Sequence, residues 1–231
     1  MEFDSVTKVD FSQKPFRIRT YGREYLAESV IIATGASSNP LNVPGEKEFT
    51  GQGTSYCATC DGWFFKGKDV VVVGGGDSAL EEAIFLTRYA TRVTIIHRRD
   101  EFRAGNLLQN RVRENPKIEL RMDSVVKEIV GDDKVNAVKI ENVKTGNVED
   151  FKTDGVFIFV GHTPNTKMFE GQLNMDARGY IEVDKQMQTS VEGVYAAGEA
   201  ADPDFRQVIT SAGMGAAAAI QGVHCRSRPR W

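Results

Sequence analysis

Two cysteines three residues apart, Cys57 and Cys60 in "SYCATCDG", stand just ahead of the glycine-rich run "VVVVGGGDSALEEA". A Cys-x-x-Cys pair can hold a metal, form a structural bridge, or cycle between dithiol and disulfide. Metal binding needs further ligands at suitable spacing, and the remaining Cys225, His97, His162 and His224 are scattered. No metal site is expected. The setting is polar and turn-rich rather than a core strand, which favours a redox couple. Asp61 follows Cys60 directly and is a candidate proton donor or acceptor when a thiolate leaves.

The second chemical signal is Gly74, Gly76 and Ala79, which fit G-x-G-x-x-A. Glycines at these places let the backbone turn tightly and let a pyrophosphate approach a helix N-terminus, whose free N–H groups and dipole favour an anion. Asp77 and Ser78 have the residue types of a helix N-cap. Next comes "RVTIIHRRDEFRA", carrying His97, Arg98, Arg99 and Arg103. A site that reads NAD places a carboxylate near this position for the ribose hydroxyls. Guanidinium groups there pair instead with a phosphate dianion, so NADPH is the expected dinucleotide. His97 by itself reads as a packed polar side chain.

Nicotinamide delivers a hydride, whereas thiol–disulfide exchange proceeds by thiolate attack. A carrier must accept the hydride and pass on an electron pair, and a flavin does this. The two motifs together therefore imply a second nucleotide site.

The elements that must position these groups can be read outward from the glycines. "DVVVV" is a short β-branched run of the kind buried on both faces in a parallel sheet. Leu80, Ala83, Ile84 and Leu86 follow at helical spacing, and "RVTIIHRR" gives a second strand. This is a βαβ unit. An amphipathic helix is expected over "AGNLLQNRVREN". Beyond it, "SVVKEIVGDDKVNAVKIENVKTGNVEDFKTDGVFIFVG" reads as an antiparallel meander with turns at Gly131–Asp133 and Thr145–Asn147.

The chain opens with a similar pattern, "SVTKVDFSQKPFRIRTYGREYLAESVIIATG". Both stretches close on an apolar strand, then Gly and Pro, as an internal repeat would. In the second copy the strand at Val70 precedes the meander at Val125 by 55 residues, whereas the first meander begins at Val6. The expectation is a first copy lacking its own nucleotide-binding strand, turn and helix. The final third offers strands at Tyr180–Val183 and Gly193–Ala197, then an Ala/Gly-rich helix. The tail "VHCRSRPRW" reads as a break in that helix.

At 231 residues the chain can bury two cores, and its net charge of −3 excludes a general basic field for nucleic acid. It shows no apolar run of membrane-spanning length and no secretory signal. Three cysteines do not make a disulfide-stapled secreted scaffold, so a cytoplasmic protein is expected.

With these motifs assembled, the chain resembles the low-molecular-weight thioredoxin reductases of the pyridine nucleotide–disulfide oxidoreductase class. The resemblance spans about residues 6–221 and rests on "ATGAS", "SYCATCDG", "GGGDSALEEA", "HRRDEFRA", "GHTPNT", "GVYAAGE" and "RQVITSAGMG". It implies an α/β fold of two Rossmann-like nucleotide-binding domains, each with a small antiparallel β-meander. The FAD-binding domain would be discontinuous, residues 1–39 and 162–231, and incomplete at its N-terminus. The NADPH-binding domain, residues 40–161, would carry the Cys-x-x-Cys.

In that family NADPH reduces FAD, FAD reduces the disulfide, and the dithiol reduces thioredoxin. Carried over, Cys60 would face the flavin, Cys57 would attack the partner, and Asp61 would be the acid/base. Arg98, Arg99 and Arg103 would hold the 2′-phosphate. Thr34, Gly35, Gly198, Arg206, Gln207 and Val208 would lie along the FAD, with Glu199 where the family has Asp. The resemblance also implies a homodimeric full-length parent and a moving NADPH domain, hinged at Pro40–Pro44 and Gly161–Pro164. The glycine-rich turn for the FAD adenosine diphosphate is absent from these residues, so weak FAD binding by this polypeptide is expected. Alternatives are the flavoprotein subunit of an alkyl hydroperoxide reductase, or an NADPH-binding fragment without turnover.

Overall fold

The structure is a computed structural model that describes residues 4–227. The chain divides into two compact units, residues 1–37 with 162–231 and residues 38–161. Each has its own core.

The first half of unit 1 is an antiparallel meander of β1 (Val6–Asp10), β2 (Phe16–Thr20) and β3 (Glu24–Ala27). β4 (Val30–Ile32) leaves the meander, and β5 (Ala36–Ser38) follows it.

Unit 2 begins with the two-residue β6 (Thr54–Ser55) and the single turn α1 (Ala58–Asp61). β7 (Asp69–Gly74), α2 (Asp77–Leu86) and β8 (Arg92–Ile96) form the expected βαβ unit. After α3 (Asn106–Arg113) and β9 (Ile118–Arg121) comes the second meander: β10 (Ser124–Gly131), β11 (Val135–Asn142) and β12 (Val148–Lys152). The apolar run after it, β13 (Gly155–Phe159), is not a fourth meander strand. It crosses into a parallel sheet of order β6-β13-β7-β8-β9.

That sheet is covered on both faces, as parallel sheets must be. Alternate side chains of β7 part company. Val70 and Val72 pack with Leu80, Ala83, Leu86 and Val112 of the helices, whereas Val71 and Val73 pack with Val126, Val138 and Ile140 of the meander. The uninterrupted valine run is thus explained by two cores sharing one strand. From β7 the chain proceeds to β8 and β9 on one side, while β13 and β6 lie on the other. The strand order reverses between β7 and β13, and the crevice beyond the carboxyl ends of such strands is where ligands settle in this architecture.

The chain returns to unit 1 with β14 (His162–Pro164), which pairs with β5, and β15 (Val194–Ala196), which pairs with β4 in parallel. The helix α4 (Val208–Ser227) closes the described chain. The core here gathers Val9, Phe11, Phe16, Ile32, Phe169, Ile181 and Val194. Both meanders hand on to a strand in a parallel sheet, β4 in one unit and β13 in the other, which is the internal repeat in three dimensions.

Two expected features differ. Residues 180–183 form no strand. Ile181 makes an isolated bridge with Met175, and the backbone bonds of Ile181 and Glu182 go to Ala200 and Asn174 rather than to one ladder. The helix also does not break at Val223 but runs to Ser227, because nothing before Pro229 interrupts it. The remainder of the tail, residues 228–231, lies outside the described residues.

Candidate redox and nucleotide sites

Cys57 and Cys60 form a disulfide. Cys57 is the N-cap of α1, its sulfur accepting from the Cys60 backbone N–H at 3.2 Å and lying 3.3 Å from the Thr59 hydroxyl. Donors aimed at this sulfur favour its thiolate once the bond is reduced. Cys60 is exposed and Cys57 half-buried. Asp61 ends the turn, its carboxylate accepting from Ser55 Oγ at 2.7 Å. Immediately beyond, Trp63 and Phe64 are 61% and 69% exposed. Their signal in the sequence is two aromatics in a row, separated from the Cys-x-x-Cys by two residues.

The glycine turn lies at the C-terminal end of β7. A Cβ on Gly74 would come within 2.5 Å of the Phe159 carbonyl oxygen and 2.7 Å of the Ala79 Cβ, so strand and helix meet there. Ala79 is fully buried in that packing. A Cβ on Gly76 would meet nothing within 4 Å, leaving open space at the helix start. Gly76 is also the N-cap, with no side-chain cap bond. Asp77 and Ser78 are therefore not caps but the first helical residues. Asp77 Oδ1 accepts instead from the Gly105 N–H at 2.8 Å, which draws its carboxylate away from the helix end. The first-turn N–H groups stay available to an anion.

A cavity of about 340 Å³ opens at the strand-order reversal, with Gly74, Gly75, His97, Arg98, Arg103 and Phe159 among its walls. Arg103 is tied to the turn by its own N–H, which donates to the Gly75 carbonyl at 2.8 Å. Arg98, Arg99 and Arg103 are exposed and have no ion-pair partner among the described residues. Arg99 does not line the cavity. His97 is buried against Gly75 and Phe102, with Nε2 3.1 Å from the Glu101 carbonyl. Burial holds its imidazole below the ordinary value. This donor set fits a phosphorylated dinucleotide: a glycine turn, an uncapped helix and free guanidinium groups beside one cavity.

The turn and the disulfide share unit 2 but not one end of it. Gly62, next to α1, packs against Leu86, Phe85 and Tyr89 at the C-terminal end of α2, whereas the glycine turn adjoins its N-terminus. The two are separated along this helix by on the order of 10 Å.

In unit 1, β4 and β15 run side by side and end on Thr34–Gly35 and on Gly198, the two glycines at φ 69° and 68°. Asn165 ties down the first end, its side-chain N–H donating to the Thr34 carbonyl and its backbone N–H to that of Gly35. Glu199 is half-buried, in a single 3-10 turn. Arg206 is engaged with His162, Nη1 to Nδ1 at 2.6 Å, so the imidazole is a neutral acceptor there. Burial and then this guanidinium lower the His162 value. The loop before α4 is organised by buried Asp202, which accepts from the N–H groups of Asp204, Phe205 and Arg206. Gln207 and Val208 are exposed, as are Ile31 and Ile209. Open strand ends and exposed apolar side chains suit an aromatic ring system. Among the described residues no group of His, Cys, Asp or Glu is placed to hold a metal. Among the described residues no helix is long and apolar enough to cross a membrane.

The pyridine nucleotide-disulphide oxidoreductase family matches residues 1–218, and the chain belongs to that family. It is 53% identical over 224 residues to a thioredoxin reductase of Rickettsia felis, covering 94% of this chain and 72% of that protein. A Streptomyces coelicolor thioredoxin reductase is 46% identical over 219 residues, covering 94% of this chain and 68% of that one. The solved thioredoxin reductase of Streptococcus pyogenes matches with a TM-score of 0.91 at 47% identity, over 96% of this chain and 73% of its own. Enzymes of this group contain FAD and use NADPH.

Proposed function

We propose that the chain passes electrons from NADPH, by way of FAD, to the Cys57–Cys60 disulfide, and from the resulting dithiol to thioredoxin. The observation that carries this reading is that a glycine turn beside guanidinium groups unpaired among the described residues and a Cys57–Cys60 disulfide share unit 2. A hydride donor on the nucleotide turn does not by itself open the disulfide, which exchanges by thiolate attack. A bound flavin supplies the missing chemistry, accepting a hydride and releasing an electron pair.

Unit 2 is the NADPH-binding domain. Gly74–Gly76 and the start of α2 receive the pyrophosphate, Asp77, Ser78 and Ala79 shape that end of the helix, and His97 packs the turn from behind. Arg98 and Arg103, with Arg99 beside them, take the 2′-phosphate. Unit 1 offers Thr34, Gly35, Gly198, Glu199, Arg206, Gln207 and Val208 to the FAD.

At the disulfide, Cys57 is the attacking thiolate, favoured by the donors at its sulfur. Cys60 closes the bond again, and Asp61 holds or gives the proton. The exposed Trp63 and Phe64 beside the pair suit a protein partner, whose apolar surface they would bury. A cytoplasmic location follows the same reading, supported by the sparse cysteine usage, as does a homodimeric full-length form.

Thioredoxin-dependent reduction of insulin, with NADPH and FAD supplied, tests the proposal. Cys57→Ser and Cys60→Ser variants should each fall to background. Undiminished turnover by either would remove the dithiol from the pathway.

A further inference from the structure

Ser55 occupies the end of β6, paired with Phe157 of β13, and is 5% exposed. Its hydroxyl oxygen has three neighbours. The Cys57 N–H donates to it at 3.1 Å, the Asp61 Oδ2 lies at 2.7 Å, and the Cys57 carbonyl oxygen at 3.2 Å. A hydroxyl has one proton for two possible acceptors. Facing a carboxylate it gives that proton to Asp61, the shorter and charge-assisted bond. The Asp61 backbone N–H in turn donates to the Cys57 carbonyl at 3.1 Å. Ser55, Cys57 and Asp61 thus form a closed ring of bonds, fixed at one corner to the parallel sheet.

We propose that Ser55 is the positioning residue of this redox pair. Its hydroxyl holds the Asp61 carboxylate in place for proton transfer, and turns to the Cys57 carbonyl when that carboxyl takes up a proton. The inference rests on reading Cys57 and Cys60 as redox-active. Ser55 and Asp61 also line a cavity of about 360 Å³ together with Thr54, Lys68 and Lys134, which gives water access to the carboxyl.

In the oxidative half of the cycle, the Cys57 thiolate attacks the partner's disulfide. A new S–S bond forms, the partner's breaks, and one partner sulfur leaves as thiolate. The Cys60 thiol then loses its proton to Asp61 and attacks the Cys57 sulfur, forming the Cys57–Cys60 bond and breaking the mixed disulfide, so that the second partner sulfur leaves and accepts that proton. Two electrons and one proton have passed to the partner. Ser55 acts on the second displacement, where Asp61 must receive and return the proton.

The test needs neither NADPH nor FAD, so it stands apart from the assay of the function above. The whole chain is reduced with dithiothreitol, desalted, and mixed with the aromatic disulfide 5,5′-dithiobis(2-nitrobenzoate). Two phases of nitrothiobenzoate release report the two displacements. Ser55→Ala should slow the second phase about tenfold, the lower range for loss of a hydrogen bond to a charged group. Ser55→Thr and Ser55→Val share one shape but differ by the hydroxyl, so Thr should run near the parent rate and Val should not. In an Asp61→Asn background, removal of the hydroxyl should have no further effect. The proposal is overturned if Val and Thr behave alike, or if hydroxyl loss slows the second phase equally with and without Asp61. Should the alanine variant not fold, the Thr and Val pair decides.

Discussion

A Cβ placed on Gly75 would stand 2.2 Å from Nδ1 of His97. The nucleotide turn therefore rests directly on a buried imidazole that links the end of β8 to the loop carrying Arg103. No methyl group fits between them, since the ring is held from its far side by Phe102 and by the Glu101 carbonyl.

Gly75→Ala should accordingly cost about 1–3 kcal/mol of stability through overpacking. It should also weaken NADPH binding, because the turn must lift off His97. A thermal melt and a fluorescence titration with NADPH check the two effects together.

The arginines should separate by position. Replacing Arg98 or Arg103 with Ala should weaken NADPH by roughly tenfold to a hundredfold each, the range for bonds to a charged group, and leave NADH little changed. Arg99→Ala, outside the cavity wall, should do less. Parallel titrations with the two dinucleotides measure the ratio directly.

Glu46 is a structural counterpart within unit 2. Its carboxylate, 2% exposed, accepts from the N–H groups of Leu41 and Asn42 at 2.9 and 2.7 Å and from the Tyr56 hydroxyl at 2.8 Å. It so joins the entry into unit 2 to the residue before Cys57. Burial, and then this bond, raises the Tyr56 phenol well above its ordinary value. Glu46→Gln places an amide donor against existing donors and should cost about 2 kcal/mol, read as a lower urea midpoint.

Acid sensitivity follows from two histidines. His97 and His162 are both held below the ordinary imidazole value of about 6.5 in the fold, chiefly by burial. The unfolded chain gains protons at these sites that the fold excludes, so stability is full above that value and declines as pH falls toward the lowered ones. Urea midpoints between pH 7.5 and 5.5 should drop, and the His97→Gln, His162→Gln double variant should flatten the slope.

Much of the nucleotide site is legible because its signals are local. Val70–Val73, the glycines and the apolar spacing of Leu80, Ala83 and Leu86 lie within one βαβ unit, where strand and helix periods show directly. The cap differs for a non-local reason: Asp77 has a capping side chain, but Gly105, 28 residues later, supplies its donor. Glu46, Ser55 and His162 carry no pattern of their own. Their roles arise from tertiary neighbours, in the case of His162 an arginine 44 residues away. The run at Tyr180–Val183 has the composition of a strand, yet finds no continuous partner.

The unequal strand pairing of the two units has a consequence for how the molecule opens. β7 is flanked on both edges and its four valines are at most 7% exposed, whereas among the described residues β4 pairs with β15 alone and leaves Ile31 42% exposed. Protection against amide hydrogen exchange should be graded the same way. Val71–Val73 would exchange only through the largest unfolding events of their unit, while Val30–Ile32 would exchange through small local fluctuations. Around these strands unit 2 is thus the more durable foldon, and unit 1 begins to breathe first.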